Sequence, residues 1–495
     1  MPDNENAIFS PAVLPSGRIL HNRLVKVALY EHLAALFDGR PNRFHSELYS
    51  KWSTYDWGMI ITGNVQVSPQ HLCLARDLIL PRELSEPNVR PFRNLAAAIH
   101  GQRAEKPLAI MQLNHSGRQS PNILGGRRPF ASPLGPSSIR LGASLKQSGI
   151  LSDLMHRLMF QVPRSMSLAE IDDVVAAFVR GAELAAQTGF DGVELHAAHG
   201  YLLAQFISPK SNARTDDYSC SLGNALRLLH RIVTETRAAV PGDFVLGIKI
   251  NSADYAESYT AGDVSPALDH IRTIASWGLV DFIEISGGDY EKPDFLTYTS
   301  SPSSRQGLFA DFAHHALRAV AVFPRAPLIL LTGGLATPAQ LRTALSSRHA
   351  HLLGLGRSAI LRPDLPQLLT HIPPDSQQLP FAAAPDLGVG VGGGGGSWTR
   401  RQVAFAIEYL PRIKLLGAGA AMAWYVVALR RLAVANAGAG SVMRTPAPDY
   451  SIGALGGVWW MWAWFGPESP ALTMVVVLGI SVLAACVAAQ VLLAG

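Results

Sequence analysis

Eight short runs rich in aliphatic and β-branched residues recur along the chain, and this repetition limits the fold more than any other feature. They lie near Leu24–Leu29, Gly58–Val65, Leu108–Leu113, Gly189–His196, Phe244–Ile250, Val280–Ser286, Pro327–Leu331 and Leu352–Gly356. Helical patterns stand between several of them. Eight strands with helix-containing connectors predict an α/β fold, a parallel sheet closed into a (β/α)8 TIM barrel. An open doubly wound sheet gives similar strand signals and stays open at this point. Helix starts can be placed between the runs. Ser167 with Glu170 three residues on is a capping box, followed by apolar Ile171, Val174, Val175 and Phe178. Thr337-Pro338-Ala339-Gln340 repeats the arrangement with proline at the first helical position, and Ser265-Pro266 begins another helix. The stretch from His115 to Met166, rich in Gly, Pro and Ser, is too long for a plain connector and is expected to form an excursion over one barrel end.

The chain has 495 residues, more than one ordinary domain, although a single barrel can take roughly 250 to 400. Residues 1–385 are read as the barrel. Gly388–Ser397 (GVGVGGGGGS) marks a flexible linker over 386–397, and 398–495 is a helical C-terminal region. Apolar residues make up 48% and charged residues 16%, with much of the apolar excess after residue 400. Within that region Ala471–Ala494 holds 24 residues without a charge. As a helix they span roughly 36 Å, enough for a bilayer core of about 30 Å. A buried helix packed on the barrel is the alternative. The tryptophan-dense Val458–Phe465 (VWWMWAWF) precedes it, as expected at a membrane interface. Leu415–Leu429, 15 residues ending at Arg430-Arg431, is marginal as a span and reads better as an interfacial or barrel-packing helix. With one C-terminal span, Arg400, Arg401, Arg412, Lys414, Arg430, Arg431 and Arg444 lie on the barrel side, in keeping with a membrane-anchored, cytosolic barrel.

Several functions are disfavoured. The net charge of +5 comes from 42 basic against 37 acidic residues without a long basic run, so nucleic acid is not an expected partner. Cys73, Cys220 and Cys486 are three and far apart. They form no disulfide framework, fit a reducing compartment, and cannot supply four thiolates to an iron–sulfur cluster. The polar N-terminus, MPDNENAIFSPAVLPSG, shows no secretory signal.

The strongest chemical signal is HAAHGYLLAQFISP, His196 to Pro209, which follows directly on a predicted strand. It therefore falls at a strand's C-terminal end, where barrel enzymes place catalytic groups. His196 and His199, three apart, with Tyr201 two further on, can converge on one small ligand. Imidazole N–H groups can polarise a carbonyl oxygen, and a phenol with an ordinary pKa near 10 can act as a general acid. Two histidines holding a turn, or a metal site, are the alternatives. No carboxylate or third histidine has evident metal-ligand spacing, which weakens the second.

The longer run HAAHGYLLAQFISPKSNARTDDY closely resembles the signature of the old yellow enzyme family, the NADH:flavin oxidoreductases. Further segments resemble family motifs in the expected order: NRLVK (Asn22–Lys26), IITGNVQV (Ile60–Val67), MQLNHSGRQS (Met111–Ser120), GIKINSADY (Gly247–Tyr255), EISGGDYE (Glu284–Glu291), LTGG (Leu331–Gly334) and LGLGRSAILRPDLP (Leu353–Pro366). The resemblance covers roughly residues 8 to 370. It implies a barrel carrying FMN, reduced by NADH or NADPH, that passes hydride to the C=C bond of an α,β-unsaturated carbonyl compound. His196 and His199 match the pair that binds the substrate oxygen, and Tyr201 matches the proton donor to the α-carbon. Gln112 matches a glutamine on the flavin's pyrimidine edge. Lys249 stands where a basic residue faces flavin N1 and O2, a salt-bridged barrel lysine being the alternative. Ala28 and Gly63 match positions laid against the isoalloxazine. Gly333, Gly334, Gly356 and Arg357 match the phosphate site, where glycine lets backbone amides approach an anion and arginine adds charge-assisted bonds.

Departures from the pattern stand beside these matches. Tyr30, followed by Glu31 and His32, occupies the place of a threonine or cysteine near flavin O4, which puts substrate fit and flavin potential in question. Ser219-Cys220 replaces a glycine pair, and Ala225 replaces an arginine. A catalytically drifted, membrane-tethered scaffold is the rival reading. The tail suggests a lipophilic enone as substrate; the choice between NADH and NADPH and the oligomeric state are not readable from the sequence.

Overall fold

The computed structural model describes residues 7–142, 159–251, 266–286, 312–373, 375–378, 414–434, 449, 452 and 454–464. Eight parallel strands form the barrel: β1 (Leu24–Lys26), β2 (Met59–Gln66), β3 (Leu108–Asn114), β4 (Gly192–Ala197), β5 (Val245–Asn251), β6 (Phe282–Ser286), β7 (Leu328–Thr332) and β8 (Leu352–Leu355). Each pairs with the next, and β8 returns to β1 through Leu353–Leu24 and Leu355–Lys26, so the sheet closes. Closure removes the open-sheet alternative. All eight expected strands are present, with ends displaced by up to three residues. Strand β4 begins at Gly192 instead of Gly189, because Gly189 takes a left-handed φ of +84° and ends the turn before it.

The connecting helices pack outside. They include α1 (Arg43–Ser53), α2 (Glu86–His100), α3 (Leu168–Gln187), α4 (Arg227–Ala239), α5 (Pro266–Ser276), α6 (Pro338–Ser346) and α7 (Arg357–Leu361). The capping boxes expected at Ser167/Glu170 and Thr337/Gln340 are both formed. A third, Asn42 with His45, opens α1 and was not read from the sequence, since histidine seldom closes such a box. The His115–Met166 excursion contributes a short strand pair, Leu134–Gly135 with Arg164–Ser165, beside the short helix Leu202–Ile207.

Side chains alternate along each strand, so every second residue enters the barrel. At the N-terminal end these are apolar: Val25, Met59, Ile61, Leu108, Ile110, Val245, Phe282, Leu330 and Leu352 form one cluster. A hairpin of Ala12–Val13 and Ile19–Leu20 plugs that end with Ala12, Leu14 and Leu20. Asp281, fully buried, holds the plug in place. Its carboxylate accepts from Ser16 N (2.6 Å), Leu246 N (2.8 Å) and the Arg237 guanidinium (2.5 Å). Higher in the barrel the same inward positions become Gln112, Glu194, Lys249 and Glu284, all buried. The polarity therefore rises along the axis toward the C-terminal mouth.

Beyond the barrel, α8 (Lys414–Val434) and α9 (Ala454–Trp462) pack on each other, and α8 also lies on α1 and α7. The marginal stretch Leu415–Leu429 is thus a barrel-packing helix, with Trp424, Tyr425, Ala428 and Leu429 buried in the main core. Among the described residues no helix is long and apolar enough to cross a membrane. Ala471–Ala494 and the 386–397 linker lie outside the described residues.

Removing the plug's anchor gives a direct check on this layout. Asp281→Ala should lower stability by about 3 kcal/mol, because it leaves two amides and one face of the half-buried Arg237 guanidinium without their acceptor. Urea unfolding measures it; a loss below about 1 kcal/mol would mean the carboxylate is not what fixes the hairpin.

Candidate active site

The expected site residues gather at one end of the barrel. Strand β4 carries His196 near its C-terminal end, and the chain then turns sharply, with His199 at φ +56° and Gly200 at +72°. A non-glycine residue in that conformation is uncommon, and here the turn brings both imidazoles and Tyr201 together. The His196 ring centroid lies 5.1 Å from His199 and 4.7 Å from Tyr201, each edge-on. His196 Nδ1 accepts the Ala198 amide at 3.3 Å, which places its proton on Nε2. His199 Nε2 lies 3.1 Å from Ser286 Oγ at the end of β6. Burial, with Lys249 nearby and with His199 acting on His196, holds both rings well below the usual histidine range. They are neutral N–H donors, not imidazolium ions. The Cys73 thiol donates to the Tyr201 oxygen at 3.4 Å and sits 3.2 Å from Ser116 Oγ. Burial first, then the Asp77 carboxylate, pushes that thiol far up, so it is no thiolate.

Below these groups lies a polar floor. Lys249 on β5 is flanked in register by His196 on β4 and Glu284 on β6. Its ammonium is 2.8 Å from Glu284 Oε1. Gln112 on β3 stands in register with Glu194 on β4 and donates to it at 2.5 Å. Burial and the neighbouring Glu284 raise the Glu194 carboxyl well above the usual range, against the pull of Lys249 and Gln112. Two carboxyls facing one ammonium therefore keep a proton on Glu194. The salt-bridged reading of Lys249 is correct as geometry, and the residue remains on the site's floor. Glu194 and Glu284 escaped the sequence reading. Their signal was present as a charged residue inside each of two aliphatic runs, where a buried carboxyl demands a partner.

The flanks are formed by strand ends. In β2 the ladder to β3 slips between Ile61 and Asn64, a bulge of the kind found beside active sites. It turns the Gly63 amide onto Glu31 Oε1 (2.9 Å) and the Tyr49 hydroxyl (3.0 Å). A Cβ at Gly63 would stand 1.9 Å from Glu31 Oε2, so one side of this glycine is filled by Glu31. Ala28 and Tyr30 follow β1, and the Tyr30 hydroxyl lies 2.9 Å from His32 Nδ1. Gly333 and Gly334, after β7, have φ of +113° and +71° and are exposed. A Cβ at Gly333 would meet open space, so it is conformation, not crowding, that requires glycine there. Thr332 and Gly354 are paired across β7 and β8. This sets the Gly333-Gly334 turn beside Gly356 and Arg357 at the next strand's end. At the departures from the pattern, Cys220 Sγ donates to Asn212 O at 3.2 Å and Ala225 is buried.

These donor sets fit FMN. An amide and an ammonium at the floor suit the hydrogen-bonding edge of a flavin, and an exposed glycine turn beside Arg357 suits a phosphate. Among the described residues no group of three or more metal-binding side chains is present. Comparison with known proteins agrees with the flavin reading. The model of the NADH:flavin oxidoreductase / NADH oxidase family matches residues 7–375. The chain belongs to this family. It is an old yellow enzyme relative, with FMN as cofactor and NADH or NADPH as electron donor. An NADH-dependent flavin oxidoreductase of Neonectria sp. (strain DH2), iliE, is 38% identical over 367 residues, covering 72% of this chain and 46% of that protein. The chain thus spans about half the length of that relative. The protein of the same name in Hypocrea jecorina is 34% identical over 72% of this chain and 87% of its own length. An old yellow enzyme homologue from Zymomonas mobilis shares the fold with a TM-score of 0.57 and 22% identity, over 74% of this chain and 92% of that one.

The flavoprotein's buried histidines give it a pH signature. His45 and His115 are lowered to about 3 by burial, and His32, His71, His196 and His199 are also driven well down. An unfolded histidine takes its proton near pH 6.5, so between that value and the lower folded ones the unfolded chain binds more protons. Stability is therefore lost as pH falls through about 6.5. Glu194 and Asp77, both raised, act in the opposite sense, two carboxyls against eight lowered histidines once His270 and His351 are included. The urea midpoint should fall steadily from about pH 7 to 5. A flat or rising midpoint there would contradict the neutral histidines.

Proposed function

We propose that the protein reduces the C=C bond of α,β-unsaturated carbonyl compounds. The observation that carries this reading is the edge-on trio of His196, His199 and Tyr201 above the Lys249 floor, at the mouth of a barrel of this family. Gln112 and Lys249 would hold the pyrimidine edge of FMN, and Gly333, Gly334, Gly356 and Arg357 its phosphate; the bound group would supply hydride-transfer chemistry between NAD(P)H and the substrate's β-carbon.

The remaining work falls to the chain. The His196 Nε2–H and the His199 ring donate to the substrate oxygen and stabilise the negative charge that develops there. Because the rings are neutral, they bind a carbonyl without attracting anions, and their hydrogen bonds to its oxygen strengthen as negative charge builds there. The Tyr201 hydroxyl gives its proton to the α-carbon. Glu284 offsets the charge of Lys249, while the protonated Glu194 is held by Gln112. The family membership disfavours the silent-scaffold alternative. A lipophilic enone and membrane attachment through Ala471–Ala494 remain parts of the proposal supported by the uncharged tail alone. A tag after Gly495, digested in intact vesicles as fast as in detergent, would end that part.

Single-turnover kinetics separate the roles. His196→Ala with His199→Ala should abolish enone reduction while NAD(P)H still bleaches the flavin. Tyr201→Phe should slow reoxidation by enone roughly 10²–10⁴-fold and leave flavin reduction nearly unchanged. Equal slowing of both half-reactions would remove the acid role; full enone turnover by the double variant would remove the histidines.

A further inference from the structure

The family match ends at residue 375, yet the chain supplies a second layer over the site from beyond it. Arg430 of α8 is 5% exposed, and its guanidinium donates to His32 O (3.1 Å) and Trp460 O (2.9 Å) while lying 4.4 Å from the Trp464 ring centroid. One side chain thus ties α9 to α8 and both to the turn carrying Tyr30 and His32. The contact is broad. The Trp462 ring stands edge-on to His32 at 4.9 Å, and Tyr30 and Leu74 pack in one apolar cluster with Met422, Ala423, Val426, Met461 and Trp462. At the adjacent strand end, after β8, the Arg357 guanidinium lies 6.0 Å from the Tyr425 ring. The helices therefore touch both the Tyr30 end and the candidate phosphate end of the site.

We propose that Arg430 is a positioning residue for Tyr30, and that Trp462 of α9 sets how large a substrate the mouth accepts. This rests on the reading of Tyr30 as a residue facing the flavin. A guanidinium holding two backbone carbonyls in a buried setting fixes the His32 main chain to within hydrogen-bond tolerance, and the Tyr30 hydroxyl is in turn held against the His32 ring at 2.9 Å. Loss of Arg430 leaves those carbonyls unsatisfied and lets the turn relax. Trp462 acts by bulk, as the side chain between α9 and His32.

Full-length protein loaded with FMN provides the test, with cyclohexenone and a tricyclic enone as probes. Arg430→Ala should keep one flavin per chain but shift the visible absorption of the bound flavin and raise KM for cyclohexenone by about tenfold. Arg430→Lys, which keeps the charge and one donor direction, should recover part of both effects. Trp462→Ala should raise kcat/KM for the tricyclic enone relative to cyclohexenone by about tenfold. Should Arg430→Ala fail to fold, the Trp462→Ala selectivity decides alone. Unchanged spectrum and unchanged selectivity, even with a lowered melting temperature, would make α8 and α9 supports only and overturn the inference. A wild type that takes up no FMN would instead fail the flavin-site reading, and the inference with it.

Discussion

Closing eight parallel strands drives every second side chain into a space where an unpaired charge is prohibitively costly, and the molecule's chemistry follows from how that constraint is met. At the N-terminal end it is met by exclusion, with apolar residues capped by a hairpin that Asp281 holds down. Toward the C-terminal end it is met by mutual pairing: Lys249 with Glu284, Gln112 with Glu194, and a proton retained on Glu194. The result is a polar floor whose net charge is small and whose donors are fixed by strand register instead of loop conformation. Fixed donors cost little reorganisation when charge develops above them.

Neutral histidines extend the same logic. His196 and His199 are too buried and too near Lys249 to hold an extra proton. Their value lies in oriented N–H groups, with the His196 tautomer set by the Ala198 amide and His199 placed beside Ser286. The left-handed His199-Gly200 turn brings these rings to the mouth. It places a demanding backbone conformation where function concentrates.

Much of this was legible in the sequence, and the exceptions have physical causes. Strands buried on both faces read as aliphatic runs, so all eight could be placed, and a motif directly after such a run had to lie at a strand's C-terminal end. Capping boxes are local, so Ser167 and Thr337 announced their helices. The floor was half hidden: Lys249 and Gln112 drew notice through resemblance, while Glu194 and Glu284 gain meaning only when register sets them beside those partners. The Glu31 contact with Gly63 depends on a bulge that no local pattern encodes. Least legible was the Arg430–His32 bond, which joins residues 398 apart. Leu415–Leu429 could be recognised as apolar and short, and its burial against α1 and α7 chose between the membrane surface and the barrel.

The central claim is that the barrel mouth, floored by Lys249 and faced by His196 and His199, holds FMN as a working redox centre. Quantitative absorption of the purified protein after supplementation with FMN, followed by anaerobic addition of NADH and then of NADPH, tests it most directly. The account predicts a yellow protein with one flavin per chain that bleaches with at least one of the two donors and recovers its colour on addition of an enone. A protein that stays colourless, or holds flavin that neither donor bleaches, would contradict it.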